Sequence, residues 1–370
     1  MKYIIENNKS NYKDEVDRII NDRQDKIFNF FNSLTTKLDC NIYIYDSIES
    51  LVKGLKKRGF TKDSDYMCAC FKDEDNSLNF FEPKDNPSDD EWSKEGYKNV
   101  IFHELIHAIQ YKLFGTIPEW LSEGIAKYLD GTYSKGIKWL LENCINNNPI
   151  PKQIEIENEF GMHDYDGYDY AFIMVSFLLE VLGKDNFIEL IKDSNKLNSI
   201  KDGLLIKAIN YYNRKYNIDT ISKYLNQDIN NPKHLFHGSP KLLESIKPHH
   251  SHDSNNNLDN ISNAVFLFPS FLKSTPYAFK DTIKKMSDGL DWNFEITNNN
   301  DYPLMKMENV NVSDDIIGYI YVFLNNEDMI KDSNTYQYKC FKEIAPIDVI
   351  EVRFSDYKNY YSVSNKRINK

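Results

Sequence analysis

His103-Glu104-Leu105-Ile106-His107 constrains this chain more than any other stretch. Its neighbours Val100, Ile101, Leu105, Ile106, Ala108 and Ile109 follow a helical apolar pattern, so the stretch reads as a buried helix. On a helix, positions four apart lie about 40° apart around the axis, so both imidazoles can aim at one point. Two histidines and a carboxylate inside an apolar helix need a reason. A zinc ion supplies one: neutral imidazole nitrogens ligate it, and a flanking carboxylate takes a proton from water whose pKa the metal lowers to about 7. Glu104 stands in that flanking position.

A catalytic zinc takes a third protein ligand. After a turn at Gly115, the stretch Pro118-Glu119-Trp120-Leu121-Ser122-Glu123-Gly124-Ile125-Ala126-Lys127-Tyr128 begins a new helix, with Pro118 suited to its first turn. Packed antiparallel on the first helix, it offers Glu119 or Glu123, which share a face four residues apart. Spacing alone leaves both open.

The rest of the chain narrows the class. Its 370 residues are 41% hydrophobic and 27% charged, so it is neither disordered nor fibrous, and the length suggests two domains. A net charge of −11 argues against general nucleic-acid binding. The longest apolar run, Ala171 to Leu182, contains Glu180 and is too short to span a membrane, and the N-terminus lacks a signal-peptide core. Cys40, Cys68, Cys70, Cys144 and Cys340 are odd in number and scattered, which suits reduced thiols in the cytoplasm.

Apolar positions at helical spacing predict a long helix over 12–39, and Ser47 to Gly59 reads as a helix ending at a glycine cap. Strands are expected at Cys40–Tyr45, Tyr66–Phe71 and Leu78–Phe81, and helices almost throughout Asp89 to Leu225. After Asn230-Asn231-Pro232 short strand-like runs appear at Leu235–Phe236, Ala264–Phe268, Gly318–Phe323 and Val349–Val352. A boundary is therefore expected there, dividing a mainly helical domain (1–231) from a smaller α+β domain (232–370).

His-Glu-x-x-His followed by Trp-Leu-x-Glu-Gly-x-Ala-x-Tyr resembles the gluzincin metallopeptidases, especially the aminopeptidase N and leukotriene-hydrolase type and their small bacterial relatives, over roughly 10–225. The resemblance implies a zincin-like α+β fold, Zn2+ held by His103, His107 and Glu123, and Glu104 as general base. Fifteen residues separate His107 from Glu123, fewer than in the large aminopeptidases and typical of minimal gluzincins. A metzincin is excluded, because Gln110 stands three residues beyond His107 and no further histidine follows nearby. Tyr168-Asp169-Tyr170-Ala171, with the apolar helix to Leu182-Gly183, resembles the tyrosine-bearing helix of the same aminopeptidases and implies that Tyr168 stabilises the oxyanion. Tyr170 and Ala171 replace the lysine and glycine of that pattern. His163 competes for the role, and among 25 tyrosines a packing role for Tyr168 is a further alternative. The Gly-x-Met-Glu-Asn type strand that captures a free amine is absent from Leu78–Phe81, which favours endopeptidase action on a protein or peptide substrate.

His234-Leu235-Phe236-His237-Gly238-Ser239, then Ile246-Lys247-Pro248 and Ala264-Val265-Phe266-Leu267-Phe268, resembles the ADP-ribosyltransferase-like fold. The resemblance implies an NAD cleft with His237 and Gly238 on the cofactor's ribose and Phe266 beside the nicotinamide. A glutamate should steady the ribosyl cation, yet Gln337 stands at the matching place and Glu343 is the nearest acid. His249, His250 and His252 form a short polar cluster that reads as a solvated loop, with adventitious metal binding as the alternative. The leading expectation is a zinc peptidase. The alternatives are an NAD-consuming transferase of toxin or defence type, and a non-catalytic binding module.

Overall fold

The computed structural model describes residues 2–5, 11–33, 37–60, 69–83, 94–133, 135–146, 150–151, 166–201, 203–225, 227–250, 262–286, 294–297, 304–308, 312–333, 336–358 and 361–364. Cys68, His163 and His252 lie outside them. Two compact units result: Met1–Leu140 with Gln153–Ala208, and Leu141–Lys152 with Ile209–Lys370. The composition change at 230–232 thus falls inside the second unit. Two hydrogen bonds show why that unit starts earlier: Asn210 binds the Val349 carbonyl and the Glu351 N–H, capping a sheet edge as a neighbouring strand would.

The first unit opens with β1 (Lys2–Ile5), α1 (Asn11–Phe30), β2 (Asn41–Tyr45) and α2 (Ile48–Lys57), followed by β3 (Cys70–Lys72) and β4 (Ser77–Phe81). The helix expected to reach residue 39 stops at Phe30, because Asn32 turns into the left-handed region at φ 52°. The strand expected from Tyr66 is described only as Cys70–Lys72. The sheet order is β1-β2-β4-β3, with β3 antiparallel on the edge and the other pairs parallel. Every residue of β4 is buried, as befits a strand covered on both faces.

The helices that carry the histidines and their partners come next: α3 (Lys94–Phe114), α4 (Glu119–Asp130), α5 (Gly136–Leu140), α6 (Gly167–Leu182), α7 (Lys184–Ile191), α8 (Ser194–Ile200) and α9 (Leu204–Lys215). Gly115 at φ 71° makes the turn between α3 and α4, and Gly131 at φ 76° ends α4, both conformations that a side chain resists. On α4, Trp120, Leu121, Ile125 and Ala126 are buried. Gly124 lies against α6: a Cβ there would stand 2.4 Å from the Ala171 carbonyl oxygen and 2.6 Å from Val175 Cγ2. That glycine lets the two helices cross at backbone contact.

In the second unit, α10 (Ser222–Leu225) precedes β5 (His234–Ser239), β6 (His249–His250), β7 (Asn263–Leu267) and α11 (Phe271–Lys285). Then come β8 (Phe294–Thr297), β9 (Leu304–Glu308), β10 (Ile317–Leu324), β11 (Ile330–Lys331), β12 (Tyr338–Cys340), β13 (Asp348–Arg353), α12 (Phe354–Tyr357) and β14 (Tyr361–Ser364). The sheets run β13-β10-β5, β11-β12-β7-β6 and β14-β9-β8. Strands β5 and β7 belong to different sheets and touch where Phe236 and Phe268 exchange two backbone hydrogen bonds. Helix α11 packs on the first sheet through Phe271, Ala278, Phe279 and Ile283, against Phe236, Ile320, Val322 and Ile350. Gly238 and Gly318 make this possible, since a Cβ on either would stand 2.2–2.3 Å from a backbone carbonyl oxygen of α11.

Among the described residues, no helix is long and apolar enough to cross a membrane.

Candidate metal centre

Helix α3 is buried along Ile101, Leu105, Ala108 and Ile109 and also along Phe102 and Ile106. Between these stripes His103 and His107 face α4. His103 Nε2 and His107 Nε2 are 3.0 Å apart. Glu123 closes the triangle, with Oε2 3.0 Å from His103 Nε2 and Oε1 3.3 Å from His107 Nε2. Of the two glutamates left open by spacing, Glu123 is the one that joins the histidines.

The other ring nitrogens fix what the inner ones can do. A carboxylate only accepts, so His103 Nδ1–H donates to Asp130 Oδ2 at 2.9 Å. Ser122 Oγ donates to Gln110 Oε1 at 2.6 Å, which leaves it to accept from His107 Nδ1–H at 2.9 Å. Gln110 Nε2 also donates to the Ser122 carbonyl at 3.1 Å. Both imidazoles therefore carry their ligand lone pair on Nε2, and both Nε2 atoms point at the same place as Glu123. A tetrahedral zinc with bonds of about 2.0–2.1 Å needs its ligand atoms roughly 3.3 Å apart. The donor set and its spacing fit that ion within a few tenths of an ångström.

The charges agree. Burial would depress the His103 pKa, but hydrogen bonds to Asp130 and Glu123 outweigh it and raise the value to about 10. Burial likewise pushes the Glu123 carboxyl up, and the His107 and His103 imidazoles override it, holding the carboxyl well below its usual range. A cation is wanted between these groups: a proton in the bare protein, a metal ion in its place, with release of the proton.

Glu104 stays out of the triangle, and its Oε2 accepts the Phe71 N–H of β3 at 2.8 Å. Tyr168 lies in the first turn of α6, its ring centroid 5.2 Å from the Lys127 ammonium, one helical turn beyond Glu123 on α4. Sequence reasoning missed Asp130 and Ser122. Asp130 had a readable signal, since it lies seven residues beyond Glu123 on the same face of α4; Ser122 had none. Gln110, which counted only against a metzincin, holds Ser122 in place.

In the second unit His237 Nδ1–H donates to the Phe266 carbonyl at 2.8 Å, which brings these two predicted residues together. Burial lowers the His237 pKa to about 4, with the Phe266 bond opposing and nearby His249 adding to the shift, so the imidazole is neutral at pH 7. A cavity of about 610 Å³ lies beside His237 and Gly238, walled by Lys247, His249, Tyr277 and Asp281 among others. Glu343 accepts from Ser245 Oγ and stands 4.0 Å from Lys247 Nζ, two residues that also line this cavity. The strand residue directly opposite Phe266 is Lys339, paired with Asp332 at 2.5 Å.

Comparison with curated proteins finds no match. The family model of the Peptidase MA superfamily matches residues 86–215. That span contains His103, Glu104, His107 and Glu123, and it is a metallopeptidase-like domain.

Proposed function

We propose that this domain is a zinc-dependent peptidase of the gluzincin type, hydrolysing internal peptide bonds of a protein or peptide substrate. The observation that carries the reading is the convergence of His103 Nε2, His107 Nε2 and the Glu123 carboxylate within 4.8 Å, with both Nδ1 protons spent on other partners. When bound, zinc would supply Lewis acidity and an acidified water. Asp130 and Ser122 keep the two imidazoles in the ligating tautomer. Glu104 takes a proton from the water that attacks the scissile carbonyl carbon and delivers it to the amine nitrogen as the C–N bond breaks. Tyr168 donates its hydroxyl to the carbonyl oxygen as charge develops there. Metal analysis of the full chain tests the reading. About one zinc per chain is expected in the wild type and little in Glu123→Ala, because two imidazoles alone bind weakly. A wild-type protein that takes up no zinc would sink the proposal.

A second reading applies to the second unit. The His237–Phe266 hydrogen bond beside an open cavity favours a site for a nicotinamide cofactor, with neutral His237 accepting from a ribose hydroxyl through Nε2. The residues suit holding NAD and do not suit transferring its ADP-ribosyl group. Gln337 is uncharged, and the Glu343 carboxylate already accepts from Ser245 and stands beside the Lys247 ammonium. Calorimetry with millimolar NAD should give weak binding that His237→Ala reduces further. Consumption of NAD by the wild type would refute the binding-only reading, and no heat of binding would refute the site.

A further inference from the structure

The single hydrogen bond that Glu104 makes among the described residues runs to a main-chain group, the Phe71 N–H. Phe71 is the middle residue of the edge strand β3, opposite Leu78 of β4. Its N–H is spent on α3 and not on the β3–β4 ladder. Its ring holds the same helix a second time, with a centroid 5.6 Å from that of Tyr111, seven residues beyond Glu104. β3 is thus fastened to α3 at two points on one helical face, one of them the carboxylate.

We infer that the Phe71 backbone amide is a positioning group for Glu104, an inference that rests on the peptidase reading above. A glutamate side chain turns about three bonds, and a freely rotating base spends little time aimed at a water. The amide fixes Oε2 and leaves Oε1 to meet the proton of the attacking water. Preorganisation of this kind raises turnover by lowering the cost of reaching the reactive geometry. Any residue except proline can supply the N–H, so no side-chain pattern advertises it.

Two variants separate the amide from the ring. Phe71→Ala removes the ring and keeps the N–H, whereas Phe71→Pro removes the N–H at an edge position where the sheet does not need it. With the zinc-loaded full chain and a pool of quenched fluorescent peptides, kcat of the proline variant should fall about tenfold to a hundredfold below that of the alanine variant. That is the size expected for losing one hydrogen bond to a charged group, and KM should differ little between the two. Equal kcat values would overturn the inference.

A second measurement covers the case in which the proline variant does not fold. Hydrogen exchange at the Phe71 amide should be slow in wild type and in Glu104→Gln, whose amide oxygen can still accept, and at least about tenfold faster in Glu104→Ala. The same exchange rate in all three would refute the link. A wild type that cleaves nothing in the pool defeats the peptidase reading instead, and the exchange rates still decide the Phe71–Glu104 bond.

Discussion

Glu104→Gln is expected to keep its zinc and its fold while losing hydrolysis by about 10³-fold or more, toward the upper end of what a general base contributes. The reasoning is geometric. Glu104 lies outside the His103–His107–Glu123 triangle, so the metal loses no ligand. Its carboxylate is held on β3 by the Phe71 N–H, and a glutamine oxygen can accept the same bond. What the substitution deletes is basicity. Parallel metal analysis and turnover of a peptide pool read the two effects separately. An active Glu104→Gln enzyme would remove Glu104 from the mechanism, and loss of zinc in that variant would mean that the division between base and ligands is wrong.

Gly124→Val should damage both stability and metal binding. The valine Cβ has no room: it would stand 2.4 Å from the Ala171 carbonyl oxygen, a backbone atom that cannot rotate away. Helix α6 cannot simply retreat, because Ala171, Ile173, Met174 and Val175 are buried in the core. Overpacking of this kind costs up to about 3 kcal/mol and sometimes more, which for a domain of this size is a fall in Tm on the order of 6–12 °C. Glu123 is the neighbouring residue on α4, so any tilt of that helix also moves a ligand carboxylate away from His103 and His107. Thermal unfolding followed with and without zinc measures both consequences. A variant with wild-type Tm and full zinc content would contradict the close crossing of α4 and α6.

Much of the centre was legible because helices are periodic. His103 and His107 stand one turn apart, and the only ambiguity about the third ligand, Glu119 or Glu123, was itself a statement of the same period. Asp130 could have been read from its place on the Glu123 face of α4, whereas Ser122 is one polar residue among several there; the role of each depends on which nitrogen of a neighbouring ring it meets. Phe71 escaped for a deeper reason, since the functional group is a backbone amide common to nearly all residues. The predicted end of α1 at residue 39 was too late because apolar spacing continues past Phe30, while a single left-handed asparagine decides where the helix stops. Gly238 was legible as a special position, but its lack of a side chain is also needed where Ser274 and Ala278 of α11 press on β5.

The order in which the second unit collects its pieces has a consequence for synthesis. Leu141 and Ile145 are buried, and Ile150 donates its N–H to the Ile347 carbonyl, yet the chain between them and Ile209 belongs to the first unit. On the ribosome, residues 141–152 emerge long before Ile347, the partner of Ile150, and wait while the remainder of the first unit is completed. The nascent chain therefore passes through a stage at which one unit can close and the other cannot, the situation in which exposed segments are most prone to misassembly. For the same reason no single cut in the polypeptide yields both units whole: a chain ended at 208 would keep 141–152 of the second unit, and a chain begun at 209 would lack them.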